Sequence, residues 1–275
     1  MAKFQSLNVT LSQHSKNPRA SILTIALNRP EVRNAFNETV IEELSRVFET
    51  EAQAPEVRAV VLKGEGSVFC AGGDLNWMKK AIDFGFEDNL KDTRALAKMF
   101  AQINEFPKPV VGLIHGAAIG GGVGLVSVCD IAIATENTQF SLSEVRLGIV
   151  PACIGPFVIA KIGASHARGL FVSAERFGAQ RAKEIGLVHE VVADDAALNA
   201  LKDACDRILA NIVQCGPGAM GIAKKLVLDL SWPERREQIK DPLESVAQTL
   251  AKVRISEEGQ EGVRAFLEKR KPNWL

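Results

Sequence analysis

Three segments of this sequence hold residue types and spacings that can do chemistry. In Phe69–Lys80 (FCAGGDLNWMKK), Ala71, Gly72 and Gly73 precede an acidic residue and an expected helix. Adjacent glycines let the backbone bend tightly, and N–H groups freed there can point at an anion or a polarised carbonyl. A plain turn between a strand and a helix uses the same residues. In His115–Asp130 (HGAAIGGGVGLVSVCD), Gly120, Gly121 and Gly122 open an apolar helix. Its first N–H groups are unpaired and lie at the positive end of the helix dipole, which suits a developing oxyanion. Close helix packing also calls for small residues. The third segment, Gln139–Pro156 (QFSLSEVRLGIVPACIGP), carries Glu144 among apolar residues, ahead of Gly148 and Pro151. This glutamate is either a solvated carboxylate or a general acid/base tuned by partial burial.

These segments need a framework. Ser21–Leu27 (SILTIAL), Ala59–Lys63 (AVVLK), Lys108–Ile114 (KPVVGLI) and Asp130–Ala134 (DIAIA) are short apolar runs ending in turn-rich sequence, the pattern of buried strands. A strand is also expected to run into Ala71. From Asn37, an expected N-cap, apolar residues at Val40, Ile41, Leu44, Val47 and Phe48 mark one helix face. Helical periodicity returns after Asp92 and around Arg181–Leu187. Beyond about Asp195 only amphipathic helices are expected. The fold class is therefore α/β with a helical C-terminal region.

At 275 residues the chain can bury a large core, and its 33 basic and 33 acidic residues cancel. A neutral balance argues against a dedicated nucleic-acid or membrane-surface protein. No apolar run approaches the roughly 18 residues of a spanning helix. Cys70, Cys129, Cys153, Cys205 and Cys215 are odd in number and scattered, with no CxxC pair. That usage fits free thiols in a reducing compartment, and a cytoplasmic location is expected. The glycine runs are neither a dinucleotide fingerprint nor a Walker motif. His115 is assigned no chemistry, Cys70 and Cys153 are read as small packing residues, and Asp74 is expected to fix its loop.

Taken in order, NRPEVRNAFN (Asn28–Asn37), FCAGGDL, IGGGVGL, CDIAIA, FSLSEVRLGIVP, AERFGAQRAKEIGLVHEVV (Ala174–Val192) and the FLEKRKP tail resemble the crotonase (enoyl-CoA hydratase/isomerase) superfamily. The resemblance implies a spiral of ββα units over 1–195 and a helical trimerisation region over 196–275. It implies a homotrimer or a dimer of trimers, and an acyl-CoA thioester as substrate. No metal or redox cofactor is implied, since coenzyme A arrives as part of the substrate. The N–H groups of Gly73 and Gly121 match the family's oxyanion hole, and Glu144 matches its second catalytic glutamate. Arg29, Arg33, Ala71, Lys79, Phe266 and Lys269 match positions near the coenzyme A moiety. Trp77 and Met78 are candidates to line the acyl pocket.

One departure bears on the reaction. Where hydratases of the family often carry a first glutamate, in the pattern GGG-x-E, this chain has Gly124. Glu144 then either makes both proton transfers or shares them with a polar group from elsewhere, including the substrate; otherwise the reaction is a double-bond isomerisation. The sequence also looks like hydratases of methylglutaconyl-CoA and γ-carboxygeranoyl-CoA, in leucine and acyclic-terpene catabolism. That closer likeness implies hydration of a branched, carboxylated enoyl-CoA. Its carboxylate is expected in space opened at Gly124, with Arg146 or Lys161 as cationic partner. An isomerase, or a non-catalytic binding protein on the same scaffold, is the alternative.

Overall fold

The computed structural model describes residues 3–195 and 198–275. The boundary expected between 195 and 196 adjoins residues that lie outside this description. The strands are β1 (Leu7–His14), β2 (Asn17–Leu27), β3 (Val57–Gly64), β4 (Val110–Ile114), β5 (Ala117–Ile119), β6 (Ile131–Thr135), β7 (Gln139–Ser141), β8 (Arg176–Gly178) and β9 (Glu190–Val192). The larger sheet runs β1-β2-β3-β4-β6-β9, with β1 antiparallel on the edge and the other pairs parallel. The smaller sheet runs β5-β7-β8.

The helices begin with α1 (Glu38–Glu49), α2 (Leu75–Ala81), α3 (Phe86–Glu105) and α4 (Gly121–Val128). Next come α5 (Gly155–Ser173), α6 (Ala179–Glu184), α7 (Asn199–Ile212) and α8 (Pro217–Ser231). The last three are α9 (Pro233–Arg236), α10 (Pro242–Ile255) and α11 (Glu257–Leu267). Every described element after β9 is helical, as the patterning predicts.

The four apolar runs became strands because both faces of the larger sheet are covered, so successive residues are buried in opposite directions. On β3, Val60 and Leu62 join the core beneath α1, α3 and α4, whereas Ala59 and Val61 face Leu201, Ala204, Cys205 and Leu209 of α7. Asn37 caps α1, its Oδ1 accepting from Val40 N–H at 3.0 Å. The capped helix buries Val40, Ile41, Leu44, Val47 and Phe48. On α3, Met99, Phe100 and Ile103 are buried. An aromatic series then crosses the core from Phe36 to Phe100 (6.0 Å), Phe157 (6.1 Å) and Trp232 (5.6 Å).

The chain passes from the larger to the smaller sheet at Gly116, whose φ is +63°. A Cβ there would lie 2.1 Å from Ser67 O, so only glycine fits the crossing. This turn feeds β5 and then the glycine run that opens α4. No helix among the described residues is long and apolar enough to cross a membrane.

Candidate active site

The first glycine segment is positioned by hydrogen bonds to β5 on one side and to the loop at Phe36 on the other. The strand expected to run into Ala71 is not a member of either sheet; it is reduced to isolated bridges, Cys70 with Ala118 and Gly73 with Phe36. Cys70 N–H donates to Ala117 O (3.0 Å), and Ile119 N–H donates to Cys70 O (2.9 Å). On the other side Phe36 N–H donates to Gly72 O (2.7 Å), and Asp74 N–H donates to Phe36 O (2.7 Å). Phe69 and Cys70 are fully buried beneath this crossing.

Phe36 connects the two glycine segments. Its backbone bridges Gly73, and its ring lies where a Cβ on Gly121 would meet it at 3.1 Å. Gly122 is as crowded, since a Cβ there would lie 2.6 Å from Cys70 O. The N–H groups of Gly73 and Gly121 have no hydrogen-bond acceptor among the described residues. Gly121 opens α4, so its free N–H belongs to the positive end of that helix.

Glu144 is brought to the same place by β7. Gly120 N–H donates to Ser141 O at 2.8 Å, and Glu144 opens the single helical turn that follows this strand. A Cβ on Gly120 would lie 3.0 Å from Glu144 Oε1, which places the carboxylate beside the glycine run. Glu144 Oε2 is buried and has no hydrogen-bond partner. Burial pushes this carboxyl above the ordinary glutamate range, against the smaller pull of its own backbone N–H. A desolvated acid beside free N–H donors is equipped to move a proton while negative charge gathers on a neighbouring oxygen.

Gly124 corrects an expectation. It opens no room for a substrate carboxylate, because a Cβ there would lie 2.3 Å from Ile154 Cγ2 and 2.9 Å from the Phe100 ring. Apolar side chains occupy the space. The two cations nominated for that carboxylate are held elsewhere as well. Arg146 donates to Ala174 O at 2.9 Å, and Lys161 donates to Cys129 O at 2.6 Å.

Arg29 is tied into the same loop. Its guanidinium donates to Asp74 Oδ2 (2.8 Å) and to Ala35 O (2.7 Å), so it braces the loop. Asp74 is structural as predicted: its Oδ1 caps α2 by accepting from Asn76 N–H (2.8 Å) and Trp77 N–H (3.3 Å). Ala71 N–H donates to Arg33 O at 3.0 Å, and the Arg33 side chain is exposed. Lys79 is exposed on α2. Phe266 is 82% exposed on α11, and Lys269 is exposed just beyond it. No hydrogen bond or ion pair joins Phe266 or Lys269 to Gly73, Gly121 or Glu144 among the described residues.

Trp77 packs half-buried against the core, and Met78 lies 3.5 Å from where a Cβ on Gly73 would stand. Sequence reasoning missed Phe36, Phe100, Ile154 and Asp92 as site-building residues. Asp92 Oδ1 accepts from Trp77 Nε1 at 3.4 Å. A cleft of about 690 Å³, lined in part by Val150, Pro151, Ile159, Phe171 and Trp232, opens beside the residues after Glu144. None of Gly73, Gly121 and Glu144 lines it.

The chain is similar to known proteins along most of its length. The family model described as enoyl-CoA hydratase/isomerase matches residues 17–275. A putative enoyl-CoA hydratase of Thermus thermophilus is 30% identical over 256 residues, covering 93% of this chain and 98% of that protein. The 2,3-dehydroadipyl-CoA hydratase of Escherichia coli is 30% identical over 254 residues, covering 92% of this chain and 94% of that one. The crystal structure of an enoyl-CoA hydratase from Shewanella pealeana superposes with a TM-score of 0.89 at 36% identity, covering 99% and 97% of the two chains.

Proposed function

The chain belongs to the enoyl-CoA hydratase/isomerase family, and from that premise we propose that it adds water across the α,β double bond of an enoyl-CoA. One observation carries the reading: Glu144 presents a buried, unpaired carboxylate oxygen beside the glycine run whose Gly121 N–H is free. In the proposed step the thioester oxygen accepts from the N–H groups of Gly73 and Gly121. Water oxygen bonds to C3 while Glu144 takes one water proton. The C2–C3 π electrons move toward the carbonyl as an enolate, and Glu144 returns the proton to C2. Charge on the thioester oxygen grows along this path, so fixed donors stabilise the transition state more than the ground state. The step uses no metal or redox group.

Because apolar side chains fill the space at Gly124, a second carboxylate does not stand there, and the proposed step gives both proton transfers to Glu144. The same fact favours a second reading, in which Glu144 shuttles a proton between C2 and C4 and water takes no part. Incubation with a 2-enoyl-CoA and a 3-enoyl-CoA, beside Glu144→Gln, separates the two. A product heavier by one water, absent with the variant, supports hydration. An unchanged mass with a moved double bond supports isomerisation. Retention of thioester without turnover would leave the binding-protein alternative.

The branched, carboxylated acyl chain implied by sequence resemblance has one further support, the relative named for a dehydroadipyl, and so dicarboxylic, chain. The receptors expected for it do not serve it: Gly124 is filled, and Arg146 and Lys161 bind backbone carbonyls. We therefore carry the hydratase forward without the carboxylate. We also propose a homotrimer or dimer of trimers. In its support, α10 and α11 leave Leu243, Ile255, Val263, Phe266 and Leu267 exposed. Sedimentation of the purified protein tests this, and a monomer at micromolar concentration would refute it.

A further inference from the structure

A carboxylate with no part in the proposed proton transfer stands where α2, α3 and the segment after Glu144 approach one another. On α3, Asp92, Leu96, Met99, Phe100 and Ile103 recur at i, i+4, i+7, i+8 and i+11, which is one helix face. Met99, Phe100 and Ile103 are buried, and Leu96 packs against the same core. Asp92 continues this stripe toward the helix N-terminus, about 12 Å along the axis from Phe100. There its Oδ1 accepts from the indole N–H of Trp77, on the helix that follows Gly73. The next residue, Thr93, accepts from Cys153 Sγ at 3.6 Å. Cys153 directly precedes Ile154, the residue that fills the space at Gly124. Asp92 thus closes the junction between α2, α3 and the segment after Glu144. Asp92 Oδ2 has no hydrogen-bond partner among the described residues and is not sealed from solvent.

The geometry points to Asp92 as a specificity-determining residue of the acyl pocket, one that admits uncharged acyl chains and turns away chains ending in a carboxylate. Asp92 has this role only if the acyl-CoA reading above holds, on which the inference rests; it sharpens the substrate class of that site. Specificity of this kind comes from a repulsive element as much as from an attractive one. The charged groups around it do not cancel its charge. Glu38 adds to the negative field, Lys80 is occupied by Glu38 at 2.7 Å, and the neighbouring Cys153 thiol is itself pushed up, by burial first and then by Asp92. Burial, partly offset by the Trp77 N–H, raises the Asp92 carboxyl above its ordinary value. Discrimination should therefore fade on acidification.

The test uses matched six-carbon chains on the full-length protein. Binding of hexanoyl-CoA and adipyl-CoA is measured by calorimetry, and hydration of hex-2-enoyl-CoA and 2,3-dehydroadipyl-CoA by kcat/KM. We expect the wild type to favour the uncharged chain by roughly tenfold or more in both assays. Asp92→Asn should raise affinity and kcat/KM for the carboxylated chain selectively, and the wild-type preference should shrink as pH falls. Trp77→Phe, which keeps the charge and removes its hydrogen-bond donor, should preserve or enlarge the preference; it supplies a second readout if Asp92→Asn folds poorly. Equal or better binding of adipyl-CoA by the wild type, or an equal effect of Asp92→Asn on both chains, would overturn the assignment. Absence of hydration with discrimination intact in the binding assay would sink the hydratase reading and leave this one standing.

Discussion

Gly120 and Glu144 are so close that a methyl group on the glycine would lie 3.0 Å from the glutamate Oε1. The glycine also holds φ +52° and ψ −117°, a conformation that side chains with a Cβ rarely adopt. Gly120→Ala should therefore act twice, straining the turn and displacing the carboxylate. We expect kcat to fall roughly a hundredfold, as small misplacements of catalytic groups commonly do. A melting temperature lowered with kcat unchanged would separate the backbone effect from the catalytic one and refute the second.

Glu144→Gln should cost roughly two to four orders of magnitude in turnover. Its effect on stability should have the opposite sign near neutrality. The folded carboxyl titrates above its unfolded value of about 4.5, so the native state binds protons more readily. Its contribution is favourable below the unfolded pKa and is lost as pH rises through the folded one. The variant should thus melt higher than wild type at pH 7, with the difference closing below pH 4.5. For the same reason the acid limb of the wild-type kcat profile should lie above the ordinary glutamate range. Thermal scans across pH check the first statement and steady-state rates the second.

Arg29 and Asp74 pair at 2.8 Å with side chains 18% and 5% exposed. Burial pushes the Asp74 carboxyl up, and the Arg29 guanidinium together with the Asn76 and Trp77 N–H groups more than offsets it. Removing either partner leaves the other short of its bond, and Asp74→Asn also weakens the cap of α2. Arg29→Ala and Asp74→Asn should each cost roughly 2 kcal/mol in urea unfolding, and the double variant less than their sum. Arg33→Ala, at an exposed side chain, should leave stability alone and raise KM for the thioester. An Arg29 effect confined to KM would instead return that residue to coenzyme A binding.

Gly124→Glu should damage the protein. The added side chain meets Ile154 and Phe100 at distances no Cβ tolerates. Overpacking of this kind costs typically about 1–3 kcal/mol, and a buried carboxylate adds to it. Adding Ile154→Ala should recover part of the loss. Equal melting points for wild type and the single variant would show that the helix can move aside.

The fold was legible where a physical pattern was strong. SILTIAL, AVVLK and DIAIA are continuous apolar runs because their strands are covered on both faces. Strands β5, β7 and β8 have three residues each, too few to display a period of two. Segment 69–73 reads as a strand because it is apolar, yet what extends it is single bridges to Phe36 on one side and to Ala118 of β5 on the other. Gly124 showed that an acid was missing but not that Phe100 and Ile154 stand in its place, since that contact joins positions far apart in the chain. Asp92 was missed because, among the charges of that segment, a carboxylate looks solvated until its partner on α2 is known.

The contact between Trp77 and Asp92 also gives the molecule an optical use. The sequence holds three tryptophans. Trp232 rests against Phe157, and Trp274 donates to Gln214 O at 3.1 Å. Trp77 stands on α2, the helix that follows Gly73, with a carboxylate on its N–H. With Trp232 and Trp274 replaced by Phe, emission would report this indole alone and shift toward the blue as an acyl chain displaces water beside it. Occupancy of the pocket could then be followed without a label, in stopped flow, before any bond is made or broken.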